Sequence, residues 1–169
     1  MSLTRWAPAF LSVVLALMIT AASPAAGTSG GPLDGFTVTH LPDRVGTQTT
    51  PADFTYEWED VAFTSRVWEQ AKEGGGFQVV LQILVLRGDA LTDLTAARAF
   101  LAHYHERDPD TWELADFDRE DGDAGLYGDT EAFWAPAERV VVEVRDASGL
   151  LGQEELLATA RGVLTENPA

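Results

Sequence analysis

Two of the chain's three histidines, His103 and His105, are separated by a single residue in the acidic stretch FLAHYHERDPDTW. Imidazole and carboxylate groups bind zinc and carry protons in hydrolases, so this stretch invites a metal or catalytic interpretation. However, residues two apart on a helix point about 200° away from each other, and a zinc helix needs histidines three or four residues apart. The sequence therefore predicts that His105 lies at the edge of a buried helix stripe, near Leu101, and that His103 faces solvent.

The acidic run DFDREDGDAGLYGD raises the question of calcium. An EF-hand loop requires acidic residues at positions one, three and five and a glycine at position six. No frame meets that requirement, and the frame that starts at Asp116 has Asp121 in place of the glycine. We predict a solvated hairpin turn with Gly122 and Gly125 as turn residues. A low-affinity calcium site of another type, at residues 119–125, is the alternative.

Nucleophiles are scarce in this chain. Outside the N-terminal region the serines are Ser65 and Ser148, neither of them in a Gly-x-Ser-x-Gly elbow, and there is no cysteine. Lys72 is the only lysine and has no Ser-x-x-Lys partner. The 27 acidic residues offer many carboxylate pairs, and none is distinguished from the others. We predict no catalytic residue, no cofactor and no metal site, with a carboxylate-dependent hydrolase as an alternative.

Aromatic residues are a more informative signal, because several tryptophans lie on or beside predicted strands. The alternation around Trp58 predicts a core residue, whereas Trp68 shares a face with Arg66, opposite Phe63 and Val67. That face is either free to bind a sugar ring, a lipid or a protein, or it is covered by helices. The candidate ligand- or partner-binding residues are Trp58, Arg66, Trp68, Trp112 and Trp134.

The elements that would position these residues are mostly strands. The stretches FTVTHLP, DFTYEWEDVAFTSRVWEQ and FQVVLQILVLRG alternate in polarity, with a bulge or short break near Asp60 and a turn at KEGGG. The stretch LTDLTAARAFLAHYHERD predicts a helix with Thr92 as its N-cap and a buried stripe that includes Leu94, Ala97, Leu101 and Tyr104.

The second half of the chain repeats this order without repeating the sequence. WELADF predicts a strand, and GDTEAFWAPAERVVVEVRDA predicts a hairpin with Val140, Val142 and Val144 on its inner face. GQEELLATARGVL predicts an amphipathic helix that buries Leu156 and Leu164. We therefore expect an α+β fold, in which an antiparallel sheet of about six strands, in the order βββα-βββα, has two helices packed on one face.

The N-terminal residues 1–26 have the layout of a secretory signal peptide, because Arg5 precedes an apolar run that is followed by small residues. Cleavage after Ala22, Ala25 or Ala26 fits this layout, and a retained anchor is the alternative. Residues 27–35 read as a flexible Gly- and Ser-rich linker, and residues 36–166 as a single α+β domain. The expected location is extracellular, with no stable membrane insertion after signal cleavage.

The net charge of −16 restricts the partners of this domain. Such a field repels nucleic-acid phosphates and anionic lipid head groups, so we expect no nucleic-acid partner. The absence of cysteine means that the core must stabilise the domain without disulfides.

Two stretches, DFTYEWEDVAFTSRVWE with LVLRG and YHERDPDTW with EAFW, resemble uncharacterised small secreted proteins of high-GC Gram-positive bacteria. The C-terminal stretch FWAPAERVVVEVRDASGLLGQEELLATARGVL is similar to the end of extracellular domains in anti-sigma-type envelope-stress proteins. There, a hairpin containing a tryptophan precedes a short Glu-Glu-Leu-Leu helix. The resemblance implies an α+β sheet with helices on one side and implies no catalytic residues.

These observations lead to one functional expectation and two alternatives. We expect a secreted, non-catalytic binding domain for a protein or cell-envelope partner. A carrier of a small lipid or glycan is the first alternative, favoured by the aromatic residues between positions 54 and 68. The carboxylate-dependent hydrolase is the second.

Overall fold

The computed structural model describes residues 28–166, which form two antiparallel sheets and three helices. The strands are β1 (Gly31–Leu33), β2 (Phe36–Val38), β3 (Thr50–Trp58), β4 (Val61–Ala71), β5 (Phe77–Arg87), β6 (Ala115–Asp118), β7 (Ala124–Tyr127), β8 (Glu131–Ala137), β9 (Val140–Arg145) and β10 (Val163–Thr165). The helices are α1 (Asp43–Gln48), α2 (Leu94–Tyr104) and α3 (Gln153–Arg161). The predicted signal peptide lies outside the described residues.

The α+β class and the antiparallel pairing are confirmed, whereas the expected six strands in the order βββα-βββα are not. Seven strands form one sheet in the order β3-β4-β5-β9-β8-β7-β6, and three short strands form another in the order β1-β2-β10. Strands of three residues carry too little alternation to be recognised in a sequence. Pairing between distant segments, such as β5 with β9, sets the order of the large sheet.

The predicted break near Asp60 is a complete chain reversal that separates β3 from β4. Trp58 pairs with Val61 across a two-residue turn, and the turn residues Glu59 and Asp60 both have positive φ angles, of 47° and 60°. Two consecutive positive φ angles are typical of the tight turn that best matches the twist of a hairpin. The aromatic stretch therefore belongs to two antiparallel strands and not to one interrupted strand.

The hairpin predicted around KEGGG is confirmed by the antiparallel pairing of β4 with β5. Its ladder shifts register between Trp68 and Glu69. Val67 and Trp68 precede this bulge and point to opposite faces of the sheet, and both are buried.

The helices lie on opposite faces of the large sheet, which corrects the expectation that both pack on one face. Along β9, Val142 and Val144 pack with Leu156 and Ala160 of α3. Val141, which points to the opposite face, packs with residues of α2. Two core clusters, one on each face, therefore enclose the sheet.

Residues from the predicted linker take part in the smaller sheet. Gly31–Leu33 pair with β2 as strand β1, and Leu33 is buried in the core. At the other end of the chain, α3 stops at Arg161, and β10 pairs with β2. Leu164 is therefore an exposed strand residue, whereas the sequence predicted a buried helix residue.

Helix α2 begins one residue later than predicted, because Asp93 is its N-cap and accepts a hydrogen bond from the Ala96 amide. Its predicted stripe is confirmed by the complete burial of Ala97 and Leu101 and the partial burial of Leu94 and Tyr104. Among residues 28–166, no helix combines the length and the hydropathy that a membrane crossing requires.

Candidate functional site

The strand β3 forms one end of the seven-stranded sheet, and its hairpin fixes which backbone groups face outward. Residues that flank a two-residue turn exchange both of their backbone hydrogen bonds, and bonded pairs then alternate with non-bonded pairs along the strands. Trp58, Tyr56 and Phe54 are thus bonded to β4. The amides and carbonyls of Asp53, Thr55 and Glu57 point away from the sheet.

These three outward positions form an open sheet edge. No described residue outside the β3–β4 ladder makes a backbone hydrogen bond to Asp53, Thr55 or Glu57. The next outward position is Pro51, which has no amide hydrogen to offer. An edge of this kind can hydrogen-bond another extended chain.

Aromatic side chains lie on one face of this edge. Phe54 is 53% exposed and Tyr56 is 37% exposed, and the two side chains lie on the same face of β3. The Tyr56 ring stacks on the buried Phe63 ring, with centroids 4.7 Å apart. We call Phe54, Tyr56 and the outward backbone of Asp53, Thr55 and Glu57 the β3 surface.

Tyr56 is held in place by a second aromatic hydroxyl. Its Oη lies 2.6 Å from that of Tyr104, at the end of α2. Burial, followed by the hydrogen bond to Tyr104, raises the pKa of Tyr56 well above the ordinary value for a phenol. The ring therefore presents a neutral, fixed face to any partner over the physiological pH range.

Behind the β3 surface lies an aromatic cluster that connects it to α2. Trp58 contacts Phe100, His103 and Tyr104 edge to face, at centroid distances of 5.1 to 5.3 Å. The sequence predicted that Trp58 is a core residue, but its side chain is only half-buried. The predicted exposure of His103 is confirmed, and its Nδ1 lies 3.4 Å from a carboxylate oxygen of Glu59.

His105 is buried more deeply than the sequence suggested. It is the C-cap residue of α2, its side chain is 6% exposed, and its Nε2 lies 2.8 Å from Oε1 of Glu143. Glu143 lies on β9, is fully buried and also has Arg145 3.8 Å away. The two neighbouring histidines thus face different carboxylates, His103 near Glu59 and His105 against Glu143.

The opposite face of β3 is polar. Arg66 donates two hydrogen bonds of 2.6 Å to the Asp53 carboxylate and a third to the carbonyl of Gly30. This hydrogen bonding from Arg66 holds the pKa of Asp53 below its ordinary value. Glu57 lies further along the same face and is exposed.

Three of the predicted binding residues are buried and present little surface to a ligand. Trp68 is 2% exposed and packs against the smaller sheet, so helix α3 and that sheet cover the face that the sequence had left open. Trp134 lies in the same cluster, beneath the guanidinium of Arg119 at 4.0 Å from the ring centroid. Trp112 lies on the other face of the sheet and donates a hydrogen bond to Glu131.

The structure therefore does not bring the five predicted residues together. Trp58 and Arg66 lie on the β3–β4 hairpin, on opposite faces of it, and the other three are dispersed through both cores. The exposed residues Phe54 and Tyr56 were not predicted as binding residues. Their alternation was visible in the sequence, but the position of β3 at the end of the sheet was not.

Of the buried glutamates, Glu131 is fully engaged, whereas Glu143 is bonded through Oε1 to His105 and its buried Oε2 has no hydrogen-bond partner among the described residues. Glu131 accepts hydrogen bonds from Trp112, Arg107 and Thr130, at 2.6 to 2.8 Å, and Glu143 is fully buried beside His105. A glycosidase requires two carboxyl groups that reach the scissile bond of a bound substrate. This arrangement does not favour the hydrolase alternative.

The cavity next to Glu131 has a volume of about 290 Å³ and mostly polar walls. Its lining residues are Arg107, Asp108, Thr111, Trp112, Glu113, Asp129, Thr130 and Glu131. Lipid carriers bury their ligands in cavities lined mainly by apolar side chains. This cavity gives the lipid-carrier alternative no support.

The acidic turn 119–123 is organised by an arginine. Arg119 donates hydrogen bonds to the Asp121 carboxylate and to the carbonyls of Ala160 and Val163. Within residues 28–166, no group of three or more His, Cys, Asp or Glu side chains is arranged to hold a metal ion. Burial is the largest single influence and raises the pKa of Asp121, but the hydrogen bonds from Arg119 and the backbone, together with the Arg119 charge, outweigh it and leave that pKa below its ordinary value.

Comparison with protein-family models, with curated proteins and with solved structures finds no match to this chain.

Proposed function

We propose that this chain is a secreted, non-catalytic binding domain for a protein partner at or outside the cell envelope, and that the β3 surface makes the contact. The observation that carries this proposal is the open strand edge beside the exposed Phe54 and Tyr56 rings. Edge amides supply hydrogen bonds to a partner backbone, and the adjacent aromatic rings supply apolar area.

The fixed position of Tyr56 favours binding. Its stacking on Phe63 and its hydrogen bond to Tyr104 restrict the ring before any partner arrives. A side chain that is already ordered loses little conformational entropy on association, so more of the contact energy contributes to affinity. Aromatic residues are common at the energetic centres of protein interfaces for this reason.

Photo-crosslinking tests this proposal directly. Phe54 is replaced by p-benzoylphenylalanine, which preserves an aromatic ring at that position, and the chain is expressed in its natural host. The matched control carries the same substitution at Leu150, an exposed apolar residue in the turn before α3, away from the β3 surface. We expect a discrete protein adduct from position 54 and none from position 150.

The adduct must also behave as a specific complex. The captured protein, once identified by mass spectrometry and purified, is expected to bind the unmodified chain and to lose affinity when both Phe54 and Tyr56 are changed to serine. Equal crosslinking from both positions, or no adduct at position 54 under host growth conditions, contradicts the proposal.

A further inference from the structure

We propose that the occupant of the β3 surface is an extended polypeptide segment in which apolar and basic residues alternate, and that this segment pairs with β3 as an eighth strand. This inference rests on the proposed function and defines the class of partner. It depends on the backbone of the edge, on the two faces of β3 and on their charges.

The backbone of the edge is complementary to an extended chain and to no other common ligand. Asp53, Thr55 and Glu57 present outward amides and carbonyls at every second residue, which is the repeat of an antiparallel ladder. Three such positions provide about six hydrogen bonds to an added strand. A sugar or a lipid does not carry donors and acceptors at this repeat.

The side chains of β3 determine which residues the added strand would carry. Residues directly opposite each other in a sheet interact in pairs on each face. On the α2 face, the exposed Phe54 and Tyr56 rings favour apolar partners. On the other face, the exposed Glu57 has no described cation against it and favours a basic partner, whereas the Asp53 charge is already paired with Arg66.

The same charges disfavour a second copy of this chain. An antiparallel pairing of two β3 strands, centred on Thr55, places Asp53 of each copy opposite Glu57 of the other. Arg66 offsets the Asp53 charge within each copy, so the repulsion comes mainly from the net charge of −16 that each copy carries. A basic partner is instead attracted by the Glu57 carboxylate and by the negative net charge of the chain.

Synthetic peptides of nine residues, the length of β3, test this inference on the full-length secreted chain. The probe alternates valine and lysine, one control has the same composition with the lysines in a single block, and another alternates valine and glutamate. Binding is followed by amide chemical shifts and hydrogen exchange in NMR spectra. We expect saturable binding of the alternating basic peptide only, with new exchange protection at Asp53, Thr55 and Glu57.

Two variants at one position separate edge pairing from general electrostatic attraction. Thr55→Pro removes an outward amide without removing a bond to β4, so the affinity for the alternating peptide is expected to fall about tenfold. Thr55→Val keeps the amide and the strand propensity, and its affinity is expected to equal that of the wild type. Circular dichroism in the tryptophan region checks that both variants are folded.

Four results would overturn this inference. Equal binding of the blocked peptide, or unchanged binding by Thr55→Pro, would show charge attraction without pairing. Concentration-dependent dimers that Thr55→Pro abolishes would show that a second copy occupies the edge. If crosslinking from position 54 captures a protein while the alternating peptide fails to bind, the proposed function stands and strand pairing is rejected.

Discussion

The two ends of the seven-stranded sheet are built in opposite ways. At one end β6 has four residues, and its terminal carbonyl, at Asp118, accepts a hydrogen bond of 3.2 Å from Arg161 of α3. The following residue, Arg119, is anchored to the carbonyls of Ala160 and Val163. At the other end β3 has nine residues, with three outward backbone positions that make no backbone hydrogen bond to any described residue outside the β3–β4 ladder.

Natural sheets usually protect their edges with short strands, charges, prolines or covering elements. The β6 end has a short strand and two arginines. Arg161 of α3 bonds the Asp118 carbonyl, and Arg119 bonds the carbonyls of Ala160 and Val163. The β3 end has only Pro51, the exposed Glu57, and Asp53, whose charge is paired with Arg66. The β6 edge is therefore short, with only its terminal carbonyl bonded by α3, whereas the β3 edge is long and offers three consecutive outward positions.

Removing the anchor of the β6 end should have the largest effect on stability. Arg119→Ala deletes two hydrogen bonds to main-chain carbonyls, the ion pair with Asp121 and the contact with the Trp134 ring. We expect the free energy of unfolding to fall by about 3 kcal/mol, measured by urea denaturation. Arg119→Lys, which keeps the charge but loses the planar fork, should recover part of that loss. A loss below about 1 kcal/mol would show that the edge is not held by this residue.

Proline substitutions at neighbouring positions of β3 should differ in their effect on the free energy of unfolding. The cost should be larger where the backbone amide bonds to β4 than where it points away from the sheet. Phe54→Pro removes an amide that bonds to Ser65 of β4 and should cost about 2 kcal/mol. Thr55→Pro removes an outward amide and should cost less than about 1 kcal/mol. Both are read from thermal or urea unfolding. A reversed order would mean that the register of outward positions is wrong, and the proposed eighth strand with it.

This difference between the two ends could be predicted from the sequence only in part. The alternation of Phe54, Tyr56 and Trp58 correctly predicted a strand with an aromatic face. The strand became an edge because β5 pairs with β9, more than fifty residues later, and no local pattern encodes that pairing. The turn at Glu59 and Asp60 was missed because neither residue is the glycine or asparagine that marks such turns.

The burial of the tryptophans depends on similar long-range packing. The alternation assigns Trp68 to one face of the sheet. That face is covered by elements near the two ends of the described chain, which are β1, β2, β10 and α3. His105 was predicted near Leu101 from helix geometry alone. Its buried partner, Glu143, lies on a strand almost forty residues away, which helix periodicity cannot reveal.

Alkaline pH should weaken the β3 end through Tyr56. Because burial and the Tyr104 hydrogen bond raise the pKa of Tyr56, the unfolded chain loses this proton at a lower pH than the folded chain. The stability is therefore complete below about pH 10, the ordinary phenol pKa, and decreases as the pH rises further. Urea titrations from pH 8.5 to 11 should show a shallower decrease for Tyr56→Phe than for the wild type. Parallel curves would argue against a raised pKa at this residue.

The smallest expected effects concern the two aspartate–arginine pairs, one at each end of the sheet. Asp53 pairs with Arg66 and Asp121 with Arg119, and both carboxyls have a pKa below the ordinary value. Each pair therefore contributes stability at neutral pH that is lost as the pH falls through the lowered pKa. At about half exposed, Asp53 should contribute only a few tenths of a kcal/mol.

Carboxyl NMR titration of the wild type and two arginine variants measures these pKa values separately. Arg66→Ala should return the pKa of Asp53 toward its ordinary value and leave Asp121 unchanged. Arg119→Ala should raise the pKa of Asp121 and also that of Asp123, because the Arg119 charge lowers both. Asp123, whose pKa is raised by burial and by the nearby Asp121 charge, is an internal reference for Arg66→Ala only. If Arg66→Ala leaves the Asp53 titration unchanged, that ion pair does not form in solution. Asp53 would then be a free negative charge on the β3 edge, which would strengthen the preference for a basic partner strand.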